Sequence, residues 1–230
     1  MTLSKTLSER IEQRRQAGSL PRFIAVEGPI GVGKTSLAKR LAMTFGYDLL
    51  LEQAEDNPFL SRFYRDPSHY ALQTELFFLF QRADQLRQLQ QQDLFAGSRI
   101  ADFLIDKNRL FAQVTLDEEE FALYCNVDAH LTLDAPRPDL VIYLQAPART
   151  LRQRIVRRGQ EDELQISSDY LERLSGAYTE FFHFYDRSPL LIVNAADIDL
   201  VNNDQDYQQL IGELLDIRSG RHYFNPRPLV

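Results

Sequence analysis

The chain has 230 residues and a formal net charge of −7, with 44% hydrophobic and 26% charged residues, which is the composition of an ordinary globular protein and excludes a collagen-like or wholly disordered chain. The acidic balance argues against a nucleic-acid-binding protein, which needs a basic surface to displace counterions from phosphates. No apolar run approaches the ~18 residues of a membrane span, and the single cysteine, Cys125, predicts a reducing, cytoplasmic setting.

The first 20 residues are polar and are predicted to be an extension of the main domain. Leu3, Leu7 and Ile11 recur at a four-residue step, which permits an amphipathic helix, but we favour a mobile or surface-docked tail. The main domain is expected to cover residues 21–218. The tail, residues 219–230, contains two prolines and is predicted to be irregular.

Short apolar runs alternate with helical patterns along the main domain. The runs are typical of buried strands and lie at Phe23–Val26, Asp48–Leu51, Arg99–Leu104, Leu140–Leu144 and Leu190–Val193. Helices are predicted at Lys34–Thr44, Pro58–Arg65, Tyr70–Gln91, Asp117–Thr132, Ala148–Arg157 and Ser168–Tyr185. The alternation predicts βαβ units, and hence one doubly wound α/β domain with a five-stranded parallel sheet and helices on both faces.

The strongest motif is the glycine-rich stretch after the first strand, which matches G-x-x-x-x-G-K-[ST]. Glycines let backbone N–H groups surround an anion, and the N-terminus of the next helix adds partial positive charge. Lys34 is expected to reach the β- and γ-phosphates of a nucleotide, and Thr35 to ligate Mg²⁺. The predicted phosphate-binding residues are Gly28, Gly31, Val32, Gly33, Lys34, Thr35 and Ser36.

A phosphate loop alone is compatible with GTPases, ATPase motors and small-molecule kinases. A GTPase needs an N-K-x-D stretch, and the nearest string, Asp106–Arg109, has the wrong order. A motor protein usually has paired acidic residues at the end of a strand, whereas Asp102 is followed by Phe103. The pattern therefore favours a small-molecule kinase.

Acidic residues end the next two strands, where the carboxyl ends of a doubly wound sheet line the ligand crevice. Glu52 is predicted to be the general base that accepts a proton from a substrate hydroxyl, with a solvated strand-end glutamate as the alternative. Asp102 is predicted to bind Mg²⁺ directly or through water, with a helix N-cap as the alternative.

The segment 151–166 is rich in arginine and is predicted to be a flap over ATP. Arg154 and Arg158 share a helix face that suits a triphosphate, and Gly159 and the polar residues after it predict mobility. A solvated charged helix is the alternative.

The helix over residues 70–91 is predicted to form a wall of the acceptor site. Gln73, Phe77 and Phe80 fall at i, i+4 and i+7, so they share one face. A nucleobase could stack on an aromatic ring while the glutamine amide offers a donor and an acceptor. An aromatic core stripe is the alternative.

Together these motifs resemble the deoxynucleoside kinases, most closely the bacterial deoxyadenosine/deoxyguanosine kinase branch. The resemblance runs from Pro21 to about Asn203 through VEGPIGVGKT, Glu52, FYRDP, ALQTELFF, DFLIDKNRLFA, PDLVIYLQAP and RRGQEDELQISSDYLERL. It implies ATP- and Mg²⁺-dependent phosphorylation of a deoxynucleoside 5′-hydroxyl by a homodimer, as in nucleotide salvage.

The resemblance also implies roles for particular residues. Glu52 matches the general base, Gln73 the residue that reads the base, and Arg158, with Arg154, the flap arginines. Tyr64 and Glu163 match residues that hold the sugar 3′-hydroxyl.

Three positions depart from the family pattern. The arginine expected after Asp102 is missing, and Lys107 or a flap arginine is the expected substitute. A second base-reading arginine is replaced in register by Phe80, with Arg82 nearby on another face, and a third flap arginine is replaced by Gln160.

The sequence therefore predicts a kinase that binds ATP and a purine deoxynucleoside. A thymidylate-type nucleoside-monophosphate kinase is the first alternative, although it would need basic residues around the acceptor phosphate. A nucleotide-binding regulator without catalysis is the second.

Overall fold

The structure, a computed structural model, describes residues 3–92, 97–131 and 135–225. Six parallel strands form one sheet in the order β2-β3-β1-β4-β5-β6. The strands are β1 (Phe23–Glu27), β2 (Asp48–Leu50), β3 (Arg99–Ala101), β4 (Leu140–Gln145), β5 (Leu190–Asn194) and β6 (Arg221–Phe224). The predicted doubly wound α/β fold is confirmed, with one strand more than the five expected.

Helices connect the strands and cover both faces of the sheet. They are α1 (Lys5–Gln16), α2 (Lys34–Phe45), α3 (Leu60–Arg65), α4 (Pro67–Gln92), α5 (Lys107–Thr115), α6 (Glu118–Leu131), α7 (Ala148–Arg158), α8 (Ser168–Phe184) and α9 (Asp204–Asp216). Thr132, the predicted last residue of α6, lies outside the described residues. Within the described ranges, no helix is long and apolar enough to cross a membrane.

The central strands are apolar on both faces because each face is buried against helices. In β4, Ile142 and Leu144 pack in one cluster with residues of α2 and α9, whereas Val141 and Tyr143 pack in another with residues of α8. Burial on both sides explains why these strands read as continuous apolar runs.

Strand β6 corrects the prediction that the C-terminal tail is irregular. Residues 221–224 pair in parallel with β5, from Leu190 opposite Arg221 to Val193 opposite Phe224. The strand lies at the edge of the sheet and only Phe224 is buried, so its sequence carries no apolar run. Residues 226–230 lie outside the described part of the chain.

The N-terminal segment forms the amphipathic helix that its four-residue step permits, and it docks on the surface, which corrects the expectation of a mobile tail. Ser4 caps α1 with its side chain, and Ile11 is only 5% exposed. Arg10 donates to Asp216 at 2.6 Å, which ties α1 to the end of α9.

The strand order brings three predicted site positions together. Strands β2, β3 and β1 are neighbours, so Glu52, Asp102 and Gly28 follow adjacent carboxyl ends of the sheet. Helices α3, α4 and α5 pack beside this edge and enclose it.

Candidate active site

The phosphate loop joins β1 to α2 and depends on glycine at two close approaches. Gly28 has φ +150°, and a Cβ there would lie 2.4 Å from the Leu144 carbonyl oxygen. Gly31 has φ +82°, and its Cβ would lie 2.9 Å from Ile155. Any side chain would push the loop away from β4 and α7, so the backbone can form this tight anion-binding turn only with glycine.

Lys34 lies folded over the loop that precedes it. Its ammonium group donates to the carbonyl oxygens of Gly28 at 2.7 Å and Pro29 at 3.3 Å. Burial, followed by the neighbouring charge of Lys107, lowers the pKa of Lys34 from its usual value. An anion in the loop would offset both effects.

Thr35 and Asp102, both predicted as Mg²⁺ ligands, lie in contact with each other. The Thr35 hydroxyl donates to Asp102 Oδ2 at 2.5 Å, and the Glu52 amide donates to Asp102 Oδ1 at 2.7 Å. Helix α5 begins only at Lys107, with Asp106 as its N-cap residue, so the alternative of Asp102 as a cap is wrong.

This oxygen pair fits Mg²⁺, which proteins hold with one or two carboxylates together with substrate phosphates and waters. Among the described residues, no group of three or more His, Cys, Asp or Glu side chains forms a self-sufficient metal site. One hydroxyl and one carboxylate, completed by phosphate oxygens and waters, suit an ion that arrives with a nucleotide.

Glu52 is held between two cations and is not a solvated strand end. Arg82 Nε donates to Oε1 at 2.7 Å, Arg82 Nη2 also contacts Oε1, and Lys107 Nζ lies 3.2 Å from Oε2. Burial opposes ionisation, but the charges of Arg82 and Lys107 outweigh it and lower the pKa of Glu52 to about 2. Glu52 is therefore a carboxylate at neutral pH.

Lys107 is the buried cation beside Oε2 of Glu52. Its side chain is 2% exposed and also lies 3.8 Å from Glu27. Of the two expected substitutes, the structure places Lys107, and not a flap arginine, against Glu52.

Glu27 is a site residue that the sequence analysis missed. It is fully buried, and its carboxylate accepts hydrogen bonds from the Gly28 amide at 3.0 Å, the Tyr178 hydroxyl at 2.8 Å and the Leu104 amide at 2.7 Å. It thus connects the phosphate loop, the loop after β3 and α8. A charged residue ending an apolar strand directly before the glycine motif was the available signal.

A cavity beside Glu52 brings most of the predicted residues together. The predicted residues that line it are Gly31, Lys34, Thr35, Glu52, Tyr64, Asp102, Lys107, Arg158 and Glu163. Aromatic walls come from Phe63, Phe78, Phe111 and Tyr170, none of which the sequence analysis assigned to the site.

Three predicted acceptor-site residues on α4 do not line this cavity, which corrects their assignment. Gln73 and Phe80 are exposed, and Phe77 is half-buried. Helix α4 instead presents Thr74, Glu75, Phe78 and Arg82 to the cavity. Each residue turns the helix by about 100°, so these four residues lie on a different face from Gln73, Phe77 and Phe80. The predicted stripe is one face of the helix, but it is the outer one.

The flap closes over the same cavity from α7. Arg158 forms an ion pair with Glu163, and Ser61 of α3 donates to Asp162, which fastens the flap to the acceptor side. Burial, and next the negative charge of Glu163, raises the pKa of Tyr64, so its phenol stays protonated as a donor.

The two flap arginines have different surroundings. Arg154 donates to the carbonyl oxygens of Val32 at 3.1 Å and Ala195 at 2.6 Å. It therefore holds α7 against the phosphate loop, whereas Arg158 lines the cavity.

Comparison with known proteins gives a consistent family assignment. The profile of the family described as deoxynucleoside kinase matches residues 24–217. A deoxyguanosine kinase of Bacillus subtilis is 37% identical over 200 residues, covering 85% of this chain and 97% of the relative. A deoxyadenosine kinase of Lactobacillus acidophilus is 30% identical over 208 residues, covering 84% of this chain and 94% of the relative.

Solved structures show the same likeness. The deoxyadenosine kinase from M. mycoides with bound dATP superposes with a TM-score of 0.73 at 26% identity, covering 85% of this chain and 99% of that one. The same kinase with bound dCTP gives a TM-score of 0.70 at 25% identity, covering 84% of this chain and 98% of that one.

Proposed function

The chain belongs to the deoxynucleoside kinase family and is a phosphotransferase, and from this premise we propose that it transfers the γ-phosphoryl group of ATP to the 5′-hydroxyl of a purine deoxynucleoside. The products are the 5′-monophosphate and ADP. One observation carries the proposal: the ionised Glu52 lines the cavity that also contains Lys34 of the phosphate loop.

Glu52 orients the 5′-hydroxyl and receives its proton while the hydroxyl oxygen bonds to the γ-phosphorus and the bond to the ADP oxygen breaks. With a pKa of about 2, Glu52 is a weak base. It takes the proton late, after bond formation has made the attacking oxygen acidic. This order suits phosphoryl transfer with a loose transition state, in which the nucleophile needs little activation.

The donor phosphates bind on the other side of the cavity. Lys34 and the amides of the phosphate loop neutralise the phosphate oxygens, and Arg158 reaches the transferring group from the flap. Thr35 and Asp102 would hold Mg²⁺, which supplies further neutralisation of the phosphate charge when it is bound. Arg154 has a positioning role, because its hydrogen bond to the Val32 carbonyl oxygen holds α7 against the phosphate loop.

The acceptor end of the cavity suits a neutral nucleoside. Glu52, Glu75 and Glu163 line it, and the cations beside them are already paired, Arg82 and Lys107 with Glu52 and Arg158 with Glu163. The phosphate of a nucleoside monophosphate would have to compete with these carboxylates for the same cations, which argues against the thymidylate-type alternative. Tyr64 and Glu163 remain the proposed partners of the sugar 3′-hydroxyl, and both line the cavity.

The proposal is tested by incubating the protein with ATP and Mg²⁺ and each of four deoxynucleosides, with thymidine monophosphate as a fifth acceptor. Separation of the products by chromatography should show 5′-monophosphates of deoxyadenosine or deoxyguanosine as the main products. Phosphorylation of thymidine monophosphate alone, or of pyrimidine deoxynucleosides alone, would contradict it.

The family resemblance implies a homodimer packed through long helices, and we propose that these helices are α4 and α6. Phe80 on α4 is 49% exposed and Leu123 on α6 is 52% exposed, and these two helices pack against each other. An apolar surface of this kind is buried when a second copy covers it.

Light scattering after size-exclusion chromatography tests the dimer. The native protein should elute with twice the mass of the chain, and Phe80→Asp should shift it to the monomer. Met43→Asp, at a position 76% exposed on α2, should leave the mass unchanged. A monomeric native protein would contradict the proposal.

A further inference from the structure

Glu27 is a buried carboxyl group on an inner strand of the sheet, directly before the phosphate loop. It ends β1, which lies between β3 and β4, and it is 0% exposed. Oε1 accepts hydrogen bonds from the Gly28 amide at 3.0 Å and the Tyr178 hydroxyl at 2.8 Å. Oε2 accepts one from the Leu104 amide at 2.7 Å. Every one of these partners is a donor, so the group is held as a carboxylate.

A buried carboxylate costs free energy unless it is both hydrogen-bonded and paired with a cation. Ala25 and Val26, the two residues before Glu27, show that the strand otherwise carries buried apolar side chains. The cation beside Glu27 is Lys107, whose Nζ lies 3.8 Å from Oε2. Glu27 therefore stays buried as a carboxylate only together with Lys107.

Lys107 lies between two carboxylates. It is the first residue of α5, and its Nζ is 3.2 Å from Oε2 of Glu52 and 3.8 Å from Oε2 of Glu27. The ring of Phe111 closes another side, with its centre 5.6 Å from Nζ. Lys107 and Glu52 line the cavity, whereas Glu27 is not among the residues that line it. Glu27 thus holds the ammonium group from behind.

One oxygen of Glu27 contacts both ends of the turn that carries Lys107. The Leu104 amide donates to Oε2, and the Lys107 amide donates to the Leu104 carbonyl oxygen at 3.1 Å. The Lys107 ammonium group then returns to the same Oε2. Because Oε1 also accepts from the Gly28 amide, one carboxylate sets the distance between Lys107 and the phosphate loop.

This arrangement shares the ammonium group at the point where the proton must move. Arg82 makes both of its contacts with Oε1 of Glu52, so Oε2 is the oxygen left for the substrate hydroxyl. A lysine attracted to Glu52 alone would compete with the hydroxyl for Oε2. A lysine shared with Glu27 leaves Oε2 a free lone pair and still places a positive charge beside the reacting oxygen.

We propose that Glu27 is a positioning residue for phosphoryl transfer and acts through Lys107, which it holds where the ammonium group supports Glu52 and stabilises the charge that develops on the reacting oxygens. This inference rests on the proposed kinase function. It assigns Glu27 an effect on turnover and not on substrate binding, because its side chain does not line the cavity.

The first test is a double-mutant cycle of Glu27→Gln and Lys107→Met, with kcat measured at saturating ATP and deoxynucleoside. Lys107→Met should lower kcat about 100-fold, because a positive charge is lost beside the reacting oxygen. Glu27→Gln should lower it about 10–100-fold, since the amide NH₂ would face donors and release the ammonium group. The double variant should be at most about threefold slower than Lys107→Met, because Glu27 acts through the lysine. Losses that multiply would overturn the proposal.

The KM values separate positioning from a general loss of shape. In Glu27→Gln, the KM for ATP and the KM for the deoxynucleoside should each stay within about threefold of native. Glu172→Gln, the same change at an exposed position on α8, is the control and should keep the native kcat. A folded Glu27→Gln variant with native kcat, or with its loss confined to the KM for ATP, would overturn the proposal.

Two milder variants decide the question if Glu27→Gln does not fold. Glu27→Asp keeps the charge on a shorter side chain, so it should lower kcat about 3–10-fold and have no further effect in the Lys107→Met background. Tyr178→Phe removes one hydrogen bond but keeps the carboxylate and Lys107, so kcat should stay within about threefold of native. A loss in Glu27→Asp that persists in the Lys107→Met background would overturn the route through Lys107.

The outcomes separate this inference from the proposed function. A native enzyme that phosphorylates deoxynucleosides, with a Glu27→Gln variant of native kcat, overturns the role of Glu27 and leaves the kinase function standing. Absence of phosphorylation of any deoxynucleoside by the native protein overturns the proposed function, and this inference with it.

Discussion

The two faces of α4 have similar residue types and opposite surroundings. The outer face carries Gln73 and Phe80, both exposed, whereas the cavity face carries Glu75, Phe78 and Arg82, all less than a tenth exposed. Each face offers a polar group and an aromatic ring at helical spacing. The difference teaches that such spacing identifies a face but does not say which way it points.

What distinguishes the cavity face is its partners. Arg82 contacts Glu52 at the end of β2 and Asn108 on α5, so a charge on the sheet edge fixes how α4 is rotated. Gln73, by contrast, is exposed and does not line the cavity. Substitutions on α4 and at its partner Glu52 should therefore affect the kinase very unequally.

Removing the negative charge of Glu52, which Arg82 contacts, should have the largest effect on activity. In Glu52→Gln, we expect kcat to fall about 10²–10⁴-fold, because no carboxylate receives the hydroxyl proton. Binding of ATP, measured by calorimetry, should stay close to native. A variant with near-native turnover would contradict the assignment of Glu52 as the base.

Replacing the arginine itself should have the next largest effect. In Arg82→Lys, kcat/KM for the deoxynucleoside should fall about 10–100-fold, because lysine cannot keep the paired contacts of a guanidinium with Glu52 and Asn108. Steady-state kinetics with each substrate varied in turn should place the loss on the deoxynucleoside. A loss confined to the KM for ATP would contradict this role.

A change of pH should shift base preference without any substitution. Below its pKa of about 7, Glu75 is protonated and can donate to N1 of adenine, whereas above that value it accepts from guanine. The ratio of kcat/KM for deoxyguanosine over deoxyadenosine should therefore rise about tenfold between pH 6 and pH 8.

The groups that face Glu75 keep their charge over this pH range. Glu52 stays ionised, and the charge of Glu52 raises the pKa of Arg82 against the opposing effect of burial, so Arg82 stays a cation. Burial raises the pKa values of Tyr124 and Tyr170, whose phenols stay neutral, and the Lys107 side chain also faces Glu75. The rise of this ratio of kcat/KM with pH should be absent in Glu75→Gln. A ratio that falls with pH in the native enzyme would contradict the sign.

The smallest effect is expected on the outer face. Gln73→Ala should change kcat/KM for any deoxynucleoside by less than about twofold, because the residue is exposed and does not line the cavity. A parallel assay with the other variants provides the comparison. A loss of tenfold or more would restore Gln73 as the base-reading residue.

The sequence was sufficient to place those site residues that directly follow a strand. The phosphate loop, Glu52 and Asp102 were all placed correctly at the sheet edge, because parallel strands bring their carboxyl ends together. The apolar runs of β1, β4 and β5 were equally readable, since burial on both faces leaves no alternation.

The sequence was less informative where position depends on a distant partner. Helix α5 was missed because Lys107 and Asn108 at its start are buried against charges from other segments, which breaks its apolar pattern. Helix α9 was also missed, although Asn203 as N-cap and apolar residues at helical spacing were available signals.

Local sequence by itself determined the family, the anion-binding turn and the chemistry available at the strand ends, because these depend on neighbouring residues and on glycine φ angles. Only the tertiary structure decided the rotation of α4, the pairing of Lys107 with Glu52 and the burial of Glu27. Those features arise when charges far apart in the chain enter one low-dielectric cavity, where each must find a partner of opposite charge or a hydrogen bond.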